Sequence, residues 1–120
     1  MKSYKNLPKN VKVGDLVYKV ITRNLQEDAE LQSAFGYTMI NHPYIVLRDD
    51  MSIEQARRYL LHELMHCIYL NSVNHYTEEV YKKRNDVSVG DWEHYFIGTM
   101  QGPILELLRS NPKLGKFLLS

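Results

Sequence analysis

The stretch "SIEQARRYLLHELMHCIYL", residues 52–70, combines a helix start signal with a long apolar run. Ser52 followed three residues later by Gln55 is a capping-box pattern, which predicts that a helix begins here. From residue 60 to 70 the segment is apolar almost all round, so we expect a helix buried in the middle of the domain. Two histidines and a glutamate interrupt the run, and polar groups that are buried without partners are costly.

His62 and His66 are four residues apart, so on a helix they lie on one face, one turn from each other. Both imidazoles can then bind one metal ion, and Glu63 beside them can take a proton from a metal-bound water. The segment "HELMH" therefore has the HExxH pattern on an independently predicted helix. The alternative is two core histidines bonded to backbone or carboxylate groups, with Glu63 at a solvent edge. The spacing favours the metal, and imidazole and carboxylate ligands suit Zn²⁺.

A catalytic zinc needs a third protein ligand and one open position. Candidates downstream are His75, Glu93 and His94. In the helix predicted after Asp91, Glu93 falls near the centre of an apolar stripe and His94 about a quarter-turn away. The stripe consists of Ile97, Met100, Ile104, Leu107 and Leu108. A carboxylate in a core-facing stripe needs a partner, so we predict Glu93 as the third ligand, with His94 as the alternative.

The chain ahead of this helix has the pattern of two strand pairs. The segment "VKVGDLVYKVI", residues 11–21, is rich in β-branched residues and is broken at Gly14-Asp15, which predicts a strand, a turn and a second strand. Residues 37–40 and 44–47 predict a hairpin around Asn41-His42-Pro43. Residues 23–33, between the two pairs, are polar and predict a loop or a short helical turn.

The chain after the helix begins with a polar, aromatic segment, which predicts a loop with a turn or two of helix. Asp91 then has the character of an N-cap for a second long helix, in which Pro103 would cause a kink or a break. Asn111-Pro112 is predicted to end this helix, and the apolar tail 113–120 to pack back on the core.

Composition limits the classes of function. With 120 residues, 44% of them hydrophobic, we expect one domain spanning residues 1–120. A net charge of +1 gives no field to attract nucleic acid or a membrane, and the basic cluster "YKKR", residues 81–84, is better explained as a solvated loop. Cys67 is the only cysteine, which excludes a disulfide framework, and its position in the apolar run predicts a core thiol. No apolar signal or membrane span is evident, which predicts a cytoplasmic protein.

These motifs resemble the small zincin-like metallopeptidases of phage and mobile-element genomes that are related to the ImmA/IrrE family. The similarity covers a β-rich start, the strand "YIVLRDDMS", the helix "ARRYLLHELMHCIYL" and a last helix ending in "LLRSNPKL". The resemblance implies an α+β zincin-like fold, in which a small antiparallel or mixed sheet packs on a buried active-site helix and a second long helix follows.

The same resemblance implies His62 and His66 as zinc ligands and Glu63 as general base. Such families usually take the third ligand from a glutamate on the following helix, a place held here by Glu93 or His94. The small-residue signature that usually follows this glutamate is replaced here by Phe96 and Ile97. ImmA-like members act on repressor proteins, so a repressor or another regulatory protein is the implied substrate.

Two functions of different classes follow from the sequence. The first is a zinc-dependent peptidase that hydrolyses a protein or peptide by metal-activated water, with Glu63 as general base. The second is a non-catalytic zinc-binding interaction protein of phage or mobile-element origin, in which the metal stabilises the fold.

Overall fold

The computed structural model describes residues 4–39, 41–70 and 89–120, and gives only the backbone of residues 89–95 and 97. This part of the chain is an α+β structure with one mixed sheet and three α-helices. The strands are β1 (Asn10–Val13), β2 (Leu16–Arg23), β3 (Gly36–Met39) and β4 (Tyr44–Arg48). The helices are α1 (Ile53–Ile68), α2 (Val89–Ser110) and α3 (Pro112–Leu119), with a short 3₁₀ helix at Ala29–Gln32.

The sheet has the strand order β1-β2-β4-β3. β1 and β2 form the predicted antiparallel pair, and Gly14 in the turn between them has the positive φ of 60° that glycine adopts without a Cβ penalty. β3 and β4 form the second predicted antiparallel pair. The two pairs join through a parallel pairing of β2 with β4, which makes the sheet mixed. β3 therefore lies at one edge of the described sheet.

Helix α1 begins as the capping box predicts. Ser52 Oγ accepts a hydrogen bond from the Gln55 backbone N–H, and Gln55 Oε1 accepts one from the Ser52 backbone N–H, both at 3.1 Å. The prediction that α1 is buried all round is wrong, because Leu61 and Met65 are each 40% exposed. One side of the helix packs on the sheet. The opposite side faces solvent, although it carries large apolar residues.

Helix α2 differs from its prediction at its start. It includes Val89, two residues before Asp91, so Asp91 lies in the helix and is not its N-cap. An acidic residue is favourable anywhere in the first turn, where it interacts with the helix dipole, so its presence alone does not fix the start. Pro103 lies inside α2 and does not divide it. Leu108 is 43% exposed, so its place in the core-facing stripe was also wrongly predicted.

Asn111 ends α2 and ties the C-terminal helices to the sheet. Its side-chain amide donates to the backbone carbonyls of Lys12 and Leu107, and its Oδ1 accepts from the Lys12 N–H at 2.8 Å. The tail after it forms α3, whose Leu114 and Phe117 are fully buried, as its predicted packing requires.

One apolar cluster fills the space between the sheet and the three helices. Each fully buried aliphatic or aromatic side chain contributes about 1.5–3 kcal/mol, so this cluster is the main source of stability. Its largest members are Tyr18, Ile45, Leu47, Leu60, Leu64, Ile68, Leu114 and Phe117. Within the described residues, no helix has the length and apolar character needed to cross a bilayer.

Candidate metal centre

His62 and His66 lie on the solvent side of α1, and their Nε2 atoms are 3.1 Å apart. The two rings are inclined at 78° with their centroids 4.8 Å apart. Their four-residue spacing causes this meeting, since one helical turn places both side chains on the same face. The histidines are exposed, with 60% of the His62 side chain accessible, so neither is the buried core residue of the alternative interpretation.

The distance between the two nitrogens fits a shared zinc ion. Two nitrogens bound to one tetrahedral zinc at about 2.0–2.1 Å lie about 3.3 Å from each other. Among the described residues, His62, Glu63 and His66 form a group whose potential ligand atoms all lie within 4.8 Å of one another. A separation of 3.1 Å also suits a hydrogen bond between two neutral imidazoles. The arrangement therefore accommodates a metal and is also satisfied without one.

The side chain of Glu63 is buried next to the histidine pair, and only 8% of it is exposed. Its Oε1 accepts a hydrogen bond of 2.8 Å from Thr38 Oγ1 on β3. Its Oε2 lies 4.0 Å from His62 Nε2. One carboxylate oxygen is therefore bonded to the sheet, while the other faces the histidine pair. The alternative that placed Glu63 at a solvent edge is wrong.

Cys67 is fully buried, which confirms the prediction of a core thiol. Burial raises the pKa of the thiol to about 11, despite hydrogen bonds with Tyr18 and Thr38 that act in the opposite direction. A thiol with this pKa is a poor nucleophile at neutral pH. Cys67 also does not belong to the group of His62, Glu63 and His66 that is able to hold a metal.

A row of stacked side chains that the sequence analysis missed leads from the sheet to His62. The guanidinium carbon of Arg48 lies 4.8 Å from the ring centroid of Phe35, and Phe35 stacks on Tyr59 at 4.7 Å. Tyr59 in turn meets the His62 ring edge-on, at 6.4 Å between centroids. The His62 ring thus has an aromatic neighbour on one side, although most of its side chain is exposed. Only the contact of Tyr59 with His62 could have been expected from the sequence, because these residues are three positions apart on the helix.

A groove of about 380 Å³ adjoins the two histidines on the side of α2. Apart from the imidazoles its lining is mostly apolar. Among the described residues, this lining comes from Met65 of α1, from Tyr69 just after it, and from Phe96 and Met100 of α2. An apolar side chain of a second molecule fits a surface of this kind beside the histidine nitrogens.

The predicted third ligands fall where the structure gives no side-chain position. His75 lies outside the described residues, and the side chains of Glu93 and His94 are likewise outside them. The backbone of α2 includes both positions. The choice between Glu93 and His94 therefore stays a prediction, and so does the loop assigned to the basic residues 81–84.

Comparisons with protein-family models, with curated proteins and with solved structures found no match to this chain. The function is therefore inferred from the residues of the site.

Proposed function

We propose that the protein is a zinc-dependent peptidase with a zincin-like active site on α1. One observation carries the proposal. The buried carboxylate of Glu63 lies within 4.8 Å of two exposed imidazole nitrogens that are themselves close enough to share an ion. Two metal ligands beside a carboxylate that is oriented by a hydrogen bond supply a large part of what hydrolysis by activated water needs, and a third ligand completes the set.

His62 and His66 would hold the zinc through their Nε2 atoms. A zinc ion bound there supplies a Lewis acid that polarises a peptide carbonyl and makes water acidic near neutral pH. Glu63 Oε2 takes the proton of the attacking water and later delivers it to the leaving amine. Tyr59 contacts the His62 ring edge-on from the side of the sheet.

Glu93 is the proposed third ligand, and the helix positions of α2 support it over His94. Position 93 lies on the same side of the helix as Phe96 and Met100, which come three and seven residues later and line the groove beside the histidines. Position 94 lies on the same side as Gly98 and Gln101, both of which are exposed. The helix face that includes position 93 thus supports Glu93 as the proposed ligand.

The groove gives the proposed substrate its chemical character. Its apolar wall, formed by side chains such as Met65 and Phe96, suits an apolar residue of a protein or peptide that lies across the histidine pair. The resemblance to peptidases related to ImmA/IrrE extends the proposal to a repressor or another regulatory protein as the natural substrate.

The test compares the wild-type protein with Glu63→Gln. Each zinc-loaded protein is incubated with an unfolded cell extract, and new peptide N-termini are identified by mass spectrometry. We expect cleavage products with the wild type and none with Glu63→Gln, because the amide cannot take a proton from water. Cleavage by both proteins at the same sites would refute the role of Glu63.

The second candidate is a zinc-binding interaction protein without catalysis. The observation in its favour is the exposure of Leu61 and Met65 on α1 close to the two histidines, since exposed apolar residues often mark a surface that contacts another protein. This candidate predicts that Glu63→Gln has no effect on partner binding, whereas loss of His62 or His66 weakens folding.

A further inference from the structure

We propose that Thr38 is a positioning residue, which holds Oε1 of Glu63 on β3 so that only Oε2 is turned to the histidine pair. The inference rests on the proposed function, because it assigns Glu63 the role of general base. It is drawn from the hydrogen bond of 2.8 Å that Thr38 Oγ1 donates to Glu63 Oε1, which joins residues 25 positions apart.

The backbone of Thr38 is fixed by the sheet. Thr38 lies opposite Ile45 in the antiparallel pairing of β3 with β4, and Ile45 is fully buried. Two residues earlier, Gly36 approaches the carbonyl of Val46 so closely that an added Cβ would be 2.8 Å from its oxygen. The hydroxyl that bonds Glu63 therefore belongs to a strand whose position is set by its pairing with β4.

The direction of the hydrogen bond follows from the groups around it. An ionised carboxylate can only accept, so the single proton of the Thr38 hydroxyl is donated to Glu63. The bond between the two side chains therefore has one orientation, with Thr38 as donor and Glu63 as acceptor.

This arrangement determines which oxygen of Glu63 can exchange a proton with a reactant. Oε1 already receives the proton of Thr38, whereas Oε2 is 4.0 Å from His62 Nε2, on the side of the site. Oε2 is accordingly the carboxylate oxygen that faces the histidine pair and is placed to act on a reactant there. Without the hydroxyl, the carboxylate is able to rotate and bind an adjacent metal itself, which would remove the base.

The experiment uses Co²⁺ in place of zinc, because the visible absorption of Co²⁺ decreases when a further ligand joins a four-coordinate site. Thr38→Val removes the hydroxyl and keeps the side-chain shape, and Thr38→Ser retains the hydroxyl. We expect weaker absorption with Thr38→Val and a wild-type spectrum with Thr38→Ser. The double variant Thr38→Val with Glu63→Gln should regain the wild-type spectrum, because the amide is a poor ligand.

Peptide cleavage gives a second readout. For any substrate found with the wild type, we expect Thr38→Val to lower kcat about 10- to 100-fold with little change in KM, the scale of losing a residue that orients an active group. Thr38→Ser should retain most of the rate. If Thr38→Val does not fold, as judged by circular dichroism, Thr38→Ala serves as the variant without a hydroxyl.

The outcomes separate this inference from the proposed function. If the wild type binds no Co²⁺, the metal site itself is refuted and the role of Thr38 falls with it. If the wild type binds Co²⁺ and a folded variant without the hydroxyl gives an unchanged spectrum and unchanged kcat, the role of Thr38 is refuted and the metal site stands.

Discussion

Gly36 on β3 lies against Glu63 on α1, so that a Cβ added to Gly36 would be 3.8 Å from Cγ of Glu63. The same Cβ would be 2.8 Å from the carbonyl oxygen of Val46 and 3.0 Å from Cδ2 of Leu47. The absence of a side chain at position 36 thus lets the edge strand approach both its neighbour strand and helix α1. Thr38, two residues along, then reaches the carboxylate.

Gly36→Ala should destabilise the protein by about 1–3 kcal/mol, because a backbone carbonyl occupies the space that the methyl group needs. Unfolding in urea measures this loss. Gly115→Ala is the matched control, since Gly115 lies within α3 with nothing within 4 Å of an added Cβ. At position 115 the change to alanine should raise the free energy of unfolding by about 0.5–1 kcal/mol. Equal effects at both positions would contradict the close packing of β3.

Leu64→Ala and Leu61→Ala test which side of α1 is buried. Leu64 is fully buried against the sheet and Leu61 is on the solvent side. We expect the first change to lower the free energy of unfolding by about 2–5 kcal/mol and the second by about 1 kcal/mol or less. Both losses come from the urea unfolding curves. A larger loss for Leu61→Ala would mean that the helix is rotated.

Asp28→Asn should destabilise the protein at neutral pH by about 1 kcal/mol. The hydrogen bond of 2.6 Å from Tyr37, with further bonds from Arg23 and the Glu30 N–H, holds the pKa of the Asp28 carboxyl below its usual value. A carboxyl whose pKa is lowered by folding contributes stability above its unfolded pKa of about 3.9, and this stability is lost as the pH falls through its folded pKa.

The difference in the free energy of unfolding between the wild type and Asp28→Asn should therefore have its full size at pH 7 and become smaller below about pH 4. Thermal unfolding across this range measures it. Glu27→Gln, at an exposed neighbouring position, is the control and should leave stability unchanged within about 0.5 kcal/mol. A difference that grew on acidification would show that the Asp28 carboxylate does not stabilise the fold.

Glu93→Ala and His94→Ala distinguish the two candidate third ligands. We expect Glu93→Ala to weaken zinc binding more than about 100-fold, beyond the usual effect of residues that only orient a ligand. His94→Ala should leave the affinity within a few-fold of the wild type. Competition with a chelator of known affinity gives both values, and the reverse order would make His94 the ligand.

Local patterns in the sequence predicted much of the fold. The start of α1 follows from Ser52 and Gln55, which are neighbours in sequence, and both strand pairs follow from short alternations around turn residues. The meeting of His62 with His66 likewise depends only on helix geometry. Interactions within a few residues are encoded locally, and a single sequence is sufficient to recognise them.

Such local patterns did not predict the contacts between distant segments of the chain. The parallel pairing of β2 with β4 joins segments with a 3₁₀ helix and a strand between them. The bond from Thr38 to Glu63 and the stacking of Phe35 on Tyr59 depend on how the sheet edge meets α1. The exposed side of α1 was missed for a related reason, because Leu61 and Met65 have the same apolar character as buried residues.

A calorimetric titration of zinc into the metal-free protein tests the central claim most directly, with the variants His62→Ala, His66→Ala and Glu63→Gln alongside. The two histidine variants should remain folded, as checked by circular dichroism, because both side chains are exposed. We predict one zinc per chain for the wild type and for Glu63→Gln, and none at comparable affinity for either histidine variant. A wild type that binds no zinc, or histidine variants that bind it equally well, would contradict the account.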